Sequence, residues 1–470
     1  MSGTGLESGP GQPAAGAAGT GLGSPGGGAP AAEVMFRRIL RNAATLLGGK
    51  LAMGLINLAA TGIALRALGV ETFGTLILIH TFAQAAAAFT KFQSWQAVLR
   101  YGAISLENGR QADFRALVRF TAWLDAGAGG IGILLCSAVL LLFGGAFDIA
   151  PGIAATAALY ATSTAFMVMA TPTGLLRLFN RFDVLATRDT LGALFRLAGA
   201  LIASVAGLGL HGFLTVWYLA TAIGGLSLAY AAWREMRRRG LAGAGATGPL
   251  PSAIRAHPGL WSFVWSTNLT TTLSLASGHL GTLCVGAMLG PAEAALFALA
   301  RQIGEAALKP GRFLSPAIYP EIARLAALRD VAAIRVLLRR VLVVSSAGSA
   351  GLLALLALLG HPLLRLVGGA QAVPAYPVML LLACASAIGF AGFALEPMLI
   401  SVGRQAAALR ARLAAAILYM PAALFGLHAI GLPGAGMASI ATAMVMLAAQ
   451  AGPASKALRA GNGCPSPHTR

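Results

Sequence analysis

Charged residues are scarce in this chain of 470 residues. Asp, Glu, Lys and Arg together make up 10% of it, and hydrophobic residues make up 57%, whereas ordinary soluble domains contain roughly 25% charged residues. Acidic residues are the scarcest, with 15 Asp and Glu against 34 Lys and Arg. No soluble core of this size needs so much apolar surface, so the composition predicts an integral membrane protein. In such a chain the basic excess indicates cytoplasmic loops, not nucleic-acid binding.

Cysteine and cofactor-binding motifs are also lacking. The four cysteines lie far apart and match no metal or redox spacing; they are Cys136, Cys284, Cys384 and Cys464. Gly48-Gly49-Lys50 resembles the end of a phosphate-binding loop, but the preceding glycine spacing and the following Ser or Thr are absent. The sequence therefore predicts no metal site, no cofactor and no nucleotide-driven motor.

Apolar segments long enough to cross a membrane recur along the whole chain. A spanning helix needs about 20 apolar residues. Twelve segments qualify: 42–65, 73–94, 117–145, 151–172, 184–208, 211–233, 259–287, 292–314, 336–359, 374–399, 406–428 and 434–454. We therefore predict an all-α integral membrane protein with twelve transmembrane helices.

The distribution of basic residues supports twelve spans with both termini in the cytoplasm. With that topology, 27 of the 34 Lys and Arg residues fall on the cytoplasmic side, and only Arg66 and Arg365 fall in outer loops. The remaining five lie inside predicted spans: Lys50, Lys91, Arg196, Arg301 and Lys309. Because cytoplasmic loops are enriched in Lys and Arg, one missed or invented span would destroy this asymmetry.

Two similar segments lie about 220 residues apart. Leu68-Gly69-Val70-Glu71 has a counterpart in Leu289-Gly290-Pro291-Ala292-Glu293, each just before the second helix of a set of six. Six intervening helices give both copies the same direction through the membrane, which predicts parallel halves. The predicted domains are a disordered cytoplasmic arm rich in Gly, Ala and Pro, an N-terminal lobe, a linker, a C-terminal lobe and a tail: 1–36, 37–239, 240–258, 259–455 and 456–470.

Two motifs carry a resemblance to a known family. The Leu68–Gly74 turn within 42–100, and the segment Leu314–Leu325, resemble parts of bacterial polysaccharide-export flippases, whose superfamily also contains multidrug antiporters and lipid II flippases. The resemblance covers about 40–455. It implies a two-lobed fold like that of multidrug antiporters (MATE-like). It also implies transfer of a polyprenyl-pyrophosphate-linked oligosaccharide to the outer leaflet of the bacterial inner membrane, with membrane lipids, a polysaccharide polymerase and export machinery as partners.

Ionisable residues inside spans are costly and are candidates for function. Lys50 and Arg301 lie deep in the first and eighth predicted spans, and Arg196 lies in the fifth. We predict that these three cations bind the substrate pyrophosphate; the resemblance supports cavity cations on the first and eighth helices. Asp125 and Glu305 are candidates for ion coupling, or for neutralising Lys50 and Arg301, respectively. Lys91 and Lys309 are predicted interfacial anchors.

Two other functions fit the same composition. A multidrug or cation antiporter would need intramembrane acids, but cations outnumber acids in the predicted spans. A membrane oligosaccharide polymerase would need a long catalytic outer loop. The longest predicted outer loop, 360–373, contains His361 and Arg365 as its only ionisable residues and has no carboxylate. The sequence therefore favours a transporter over an enzyme.

Overall fold

The computed structural model of the chain describes the backbone of residues 28–242, 251–306, 318–319, 321–328 and 330–459. Side chains are described within these ranges except at 28–51, 151, 251–252, 269–277, 306 and 459. Contacts divide the chain into two units, Met1–Leu46 and Leu47–Arg470. In the first unit, only backbone belonging to the first helix is described.

The N-terminal half is a succession of helices joined by short connections. A single-turn 3₁₀ helix, Gly144–Phe147, extends the third of them. The helices are α1 (Gly28–Thr90), α2 (Ser94–Glu107), α3 (Gln111–Phe143), α4 (Pro151–Ala161), α5 (Thr164–Val168), α6 (Thr171–Leu178), α7 (Phe182–Val205) and α8 (Gly209–Arg238).

The C-terminal half is built in the same way. A second 3₁₀ helix, Ala370–Ala375, lies between the helices Val331–Gly368 and Tyr376–Ala391. The helices are α9 (Pro251–Ala256), α10 (Leu260–Leu289), α11 (Pro291–Ala306), α12 (Val331–Gly368), α13 (Tyr376–Ala391), α14 (Leu395–Ser401), α15 (Gln405–Ile430) and α16 (Leu432–Arg459).

Each of the twelve predicted spans coincides with helix over most of its described length. By length and hydropathy, eight helical stretches within the described residues are long and apolar enough to cross a membrane. The first of these stretches, Ala52–Glu107, contains the predicted span 73–94 and residues 52–65 of the predicted span 42–65. Helix α7 is absent from the eight because Arg188, Asp189 and Arg196 lower its hydropathy, and α10 and α11 adjoin residues outside the description.

The prediction of an outer loop at 360–373 is wrong, because most of this segment is helical. Helix α12 continues to Gly368, and the 3₁₀ helix Ala370–Ala375 follows almost at once. Leu364, Ala372 and Ala375 are fully buried. Burial of these side chains against the bundle favours ordered backbone where the sequence shows only a polar interruption at His361 and Pro362.

Both halves contain a glycine with the same unusual backbone conformation at the position where the sequence predicts a repeat. Gly69 has φ 77° and ψ 167°, and Gly290, 221 residues later, has φ 90° and ψ 177°. This combination is open almost only to glycine. Gly69 separates two helical segments within α1, and Gly290 separates α10 from α11, which supports the repeat inferred from sequence.

One buried apolar cluster includes residues from both halves. It contains Phe73 and Leu76 of α1, Phe213 of α8 and Phe297 of α11, with Met379 of α13. On the outside of the bundle, large apolar side chains remain exposed, among them Leu142, Leu358 and Phe425, each at least 76% exposed. Exposed apolar surface on this scale suits contact with lipid.

Part of the predicted linker is packed against the N-terminal half. Directly after α9, the Nε2 of the buried His257 lies 2.8 Å from Oγ of Ser105 in α2. Ala253 and Leu260 share a buried cluster with Leu117 of α3. The remainder of the predicted linker, 243–250, lies outside the described residues.

Candidate functional site

Arg196 lies in the middle of α7 and faces the interior of the N-terminal half. Its guanidinium carbon lies 5.3 Å from the centre of the Trp217 ring on α8, within the range of a cation–π contact. Its Nε is buried and has no hydrogen-bond partner. Among the residues whose side chains are described, no carboxylate lies within ion-pair distance of Arg196. The predicted substrate cation is therefore an uncompensated charge.

Arg196, His80, His279 and Arg301 form a series of electrostatic neighbours that includes residues of both halves, called the polar row. His80 of α1 is close enough to Arg196 and to His279 of α10 to interact electrostatically with both, and His279 stands in the same relation to Arg301. The Nδ1 of His80 lies 2.7 Å from the Tyr160 hydroxyl. The fold thus brings two of the predicted cations, which are 105 residues apart in sequence, to the two ends of one polar row.

Arg301 has one acidic neighbour among the described residues. Its Nε lies 4.0 Å from a carboxylate oxygen of Glu305, one helical turn further along α11. The Glu305 side chain is 50% exposed and that of Arg301 is 21% exposed. An ion pair this long, with one partner half exposed, leaves most of the donor capacity of Arg301 free for another ligand.

The next residue of α11 joins the two halves. Thr61 of α1 donates a hydrogen bond of 3.2 Å to Oε1 of Gln302. Four residues earlier in α1, the Nδ2 of Asn57 donates to the backbone oxygen of Met53 at 2.9 Å. Because Asn57 and Thr61 are four residues apart, they lie on the same face of α1.

The carboxyl group of Asp125 accepts hydrogen bonds from Ser94 and from the backbone around the start of α6. One of its carboxylate oxygens accepts from Ser94 Oγ at 2.7 Å, and the other accepts from the backbone nitrogens of Ala170 and Thr171 at 2.9 and 2.6 Å. These nitrogens begin α6, so the carboxyl caps that helix from α3. Lys91, predicted to be an interfacial anchor, donates to the backbone oxygen of Met167 at 3.1 Å.

Two predicted residues fall outside the description. The side chain of Lys50 is not among those described, so its predicted pairing with Asp125 and its role in binding stay predictions. Lys309 lies in the undescribed segment 307–317.

Sequence reasoning missed the neutral members of this region. Asn57, Tyr160, Trp217 and Gln302 carry no charge, so the high cost of an ionisable group inside a span does not mark them as candidates. One signal was available in α1: Asn57 follows Lys50 by seven residues, or two helical turns, and therefore shares its face. Tyr160 and Trp217 contact residues that are distant in sequence, and no local sequence pattern predicts such contacts.

The arrangement is chemically suited to binding an anion. Guanidinium groups present several N–H donors in a plane and pair with phosphate or carboxylate oxygens in bidentate fashion. The Trp217 ring contacts the guanidinium of Arg196 without neutralising its charge. Within the described residues, no cluster of three or more His, Cys, Asp or Glu side chains is arranged to hold a metal ion.

Comparison with known proteins agrees with this architecture. The chain is 35% identical over 350 residues to inner membrane protein YghQ of Escherichia coli (strain K12), an alignment that covers 74% of this chain and 97% of that protein. Among solved structures, it is similar to a multidrug resistance MATE family transporter of the MOP superfamily in its inward-facing conformation. The TM-score is 0.70 at 14% identity, with 87% of this chain and 96% of that chain covered.

A second solved structure, the outward-facing conformation of a multidrug resistance MATE family transporter of the MOP superfamily, gives a TM-score of 0.60 at 16% identity, with 90% of this chain and 96% of that chain covered. These likenesses establish the predicted fold, an all-α, two-lobed, MATE-like membrane protein. Residues 39–326 match the family described as polysaccharide biosynthesis protein. That match spans more than half of the chain, and so the chain belongs to the polysaccharide biosynthesis protein family.

Proposed function

We propose that this protein is an inner-membrane flippase for a lipid-linked saccharide. It moves a polyprenyl-pyrophosphate-linked oligosaccharide from the inner to the outer leaflet by alternating access between its two lobes. Membership of the polysaccharide biosynthesis protein family and the MATE-like fold support a membrane transporter rather than an enzyme. The name of the relative, an inner membrane protein, supports the location.

One observation carries the proposal: Arg196 is placed in the bundle with a buried, unpartnered Nε and no described carboxylate partner. A charge in a low-dielectric region is expensive unless an opposite charge compensates it. The pyrophosphate that links sugar to lipid supplies that opposite charge. Arginine is suited to this role because it stays protonated and binds phosphate oxygens bidentately.

The other predicted cations complete the path of the anionic group. Arg301 contributes from α11 in the C-terminal half, where Glu305 offers only a long ion pair of 4.0 Å. Lys50 contributes from α1. The glycan occupies the polar space between the lobes while the polyprenyl tail stays in lipid. Membrane lipids surround the bundle, and the polymerase and export machinery act on the flipped product.

The alternative is a multidrug or small-molecule antiporter, and the fold favours it because solved MATE transporters share that fold. An antiporter for cations needs intramembrane carboxylates that are free to bind substrate or coupling ion. Of the two predicted coupling residues, Asp125 is engaged by three hydrogen-bond donors, and the carboxylate of Glu305 lies 4.0 Å from Arg301. The excess of cations around the polar row therefore supports an anionic cargo.

The test is deletion of the gene, followed by measurement of lipid-linked oligosaccharide on each leaflet of the inner membrane and of surface polysaccharide. We expect accumulation on the cytoplasmic side and loss from the surface. The gene is then returned as wild type, as the double variant Arg196→Ala, Arg301→Ala, and as Lys50→Ala. Arg410→Gln, at an exposed arginine of α15, is the matched control.

We expect the wild type and Arg410→Gln to restore export, and the double variant at equal expression to fail. A normal leaflet distribution after deletion, in a strain without a second flippase, would refute the saccharide flippase and favour the antiporter. Full export by the double variant would refute only the assignment of the cations.

A further inference from the structure

A cavity of about 230 Å³ lies within the N-terminal half, between α1, α5, α7 and α8. Five polar side chains line it: Asn57 from α1, Thr221 from α8, and Arg188, Asp189 and Arg196 from α7. Gly192 occupies the wall between the two arginines. The cavity therefore has two guanidinium groups and one carboxylate within its walls.

The two arginines of this cavity are in different states. Arg188 is fixed: its Nε donates to the backbone oxygen of Gly224 at 3.0 Å, and its Nη1 lies 3.7 Å from the Asp189 carboxylate. The Nε of Arg196 has no partner. Buried polar nitrogens are nearly always hydrogen-bonded. An unpartnered guanidinium nitrogen on a side chain that lines a cavity therefore points to a ligand that supplies the missing acceptor atom.

The spacing of the arginines gives the cavity a direction. Arg188 lies in the second turn of α7, near the end that the sequence places in the cytoplasm, and Arg196 follows eight residues later. Eight residues of helix correspond to about 12 Å along the axis. An anion that entered beside Arg188 would therefore be drawn deeper into the membrane by Arg196.

The volume restricts what the cavity holds. Pockets for drug-sized ligands measure roughly 300–1,000 Å³, and this one measures about 230 Å³. A phosphate or pyrophosphate group suits such a space, whereas an oligosaccharide does not. A compact, strongly anionic group is also the chemistry that an uncompensated arginine selects.

We propose that this cavity, within the N-terminal half, is the binding site for the pyrophosphate of the lipid carrier, with Arg196 as the principal ligand and Arg188 and Asn57 as supporting ligands. The inference rests on the proposed function and makes it more specific, since it places the phosphate group in one lobe and leaves the glycan in the space between the lobes. Asp189 reduces the net positive charge of the cavity and so favours release of the anion after transfer.

The first experiment measures binding to the full-length protein in lipid nanodiscs. The probes are farnesyl pyrophosphate, farnesol and inorganic pyrophosphate. We expect farnesyl pyrophosphate to bind and farnesol to bind at least tenfold more weakly. Arg196→Gln should lower the affinity for farnesyl pyrophosphate by about tenfold or more, because a charge-assisted hydrogen bond is lost. Arg188→Gln should have a smaller effect, and Arg410→Gln none.

Two further measurements separate ligand binding from folding. Replacement of an uncompensated buried charge should not lower the melting temperature, so Arg196→Gln should be at least as stable as the wild type. Gly192→Leu should fill the cavity, because a Cβ at Gly192 meets no atom within 4 Å. The control is Gly127→Leu, at an equally open glycine of the exposed surface of α3, which should bind normally.

The outcomes distinguish this inference from the proposed function. Normal binding by Arg196→Gln and Gly192→Leu, with loss in Arg301→Gln, would overturn the cavity assignment and leave the flippase intact. Equal binding of inorganic and farnesyl pyrophosphate, lost together in Arg196→Gln, would support a phosphate site but overturn its lipid source. Leaflet measurements that refute the flippase would remove the basis for a lipid pyrophosphate, whatever the binding data.

Discussion

The carboxyl group of Asp125 illustrates how one buried side chain joins three helices. It lies on α3, accepts a hydrogen bond from Ser94 at the start of α2, and accepts two from the first backbone nitrogens of α6. These two nitrogens would otherwise be unsatisfied at a helix terminus. The residue that sequence reasoning offered as a coupling site is thus a structural acceptor in the described contacts.

We therefore expect Asp125→Asn to lower the free energy of unfolding by roughly 1–3 kcal/mol. The amide presents one acceptor oxygen where the carboxylate presents two, so at least one donor loses its partner. Chemical denaturation in detergent micelles would measure the change. Asp113→Asn, in the first turn of α3 with its carboxylate 3.7 Å from Arg110, should change stability by less than about 0.5 kcal/mol. Equal losses in both variants would contradict the capping role.

At the scale of the helical element, the two repeated turns depend on glycine. Gly69 and Gly290 adopt φ 77° and 90°, with ψ close to 170° in both. Each allows a long helix to end and the next to begin without a loop. A side chain at either position would force the turn into a different path and displace the helix that follows.

Gly69→Ala and Gly290→Ala should each lower the free energy of unfolding by about 1–3 kcal/mol, the cost of strained backbone. Gly54→Ala is the control, since this glycine lies within α1 and a Cβ there meets no atom within 4 Å; it should be neutral or stabilising by up to about 1 kcal/mol. Thermal unfolding of the three purified variants would test this. A loss in Gly54→Ala as large as in the other two would rule out the backbone explanation.

At the scale of the whole molecule, the two halves are hydrogen-bonded where the sequence predicts outer loops. Arg66 donates to the backbone oxygens of Arg365 and Leu366 at 3.1 and 2.7 Å. Gln371 donates to the backbone oxygen of Leu65 at 2.9 Å. Alternating access requires these contacts to break whenever the proposed substrate path opens outward.

The double variant Arg66→Ala, Gln371→Ala should favour the outward-open state by roughly 1–3 kcal/mol, or about five- to 150-fold. Leu65→Cys, introduced at a position that is 1% exposed in a background without native cysteines, should then react faster with a membrane-impermeant maleimide added from outside. Arg365→Ala is the control, because Arg365 contributes only its backbone oxygen. Equally fast labelling in the control would contradict the role of Arg66.

The fold was more accessible from sequence than the site. Hydropathy and the distribution of basic residues located the spans, and the Leu-Gly pairs at 68–69 and 289–290 located the repeat, because each depends on neighbours in sequence. The segment 360–373 was misassigned because its helical state depends on burial of Leu364 and Ala372. The surroundings of Arg196 depend on side chains from several separate helices, and such convergence has no local signature.

The close approach of Gly74 to Pro291 has a consequence for evolution and for protein engineering. A Cβ at Gly74 would overlap the backbone carbonyl of Pro291, which belongs to the other half. The two turns are therefore sterically complementary, although they belong to separate copies of a repeat. A hybrid assembled from the N-terminal half of one relative and the C-terminal half of another would inherit matched surfaces only if both donors had kept this pairing, so the halves have to diverge together.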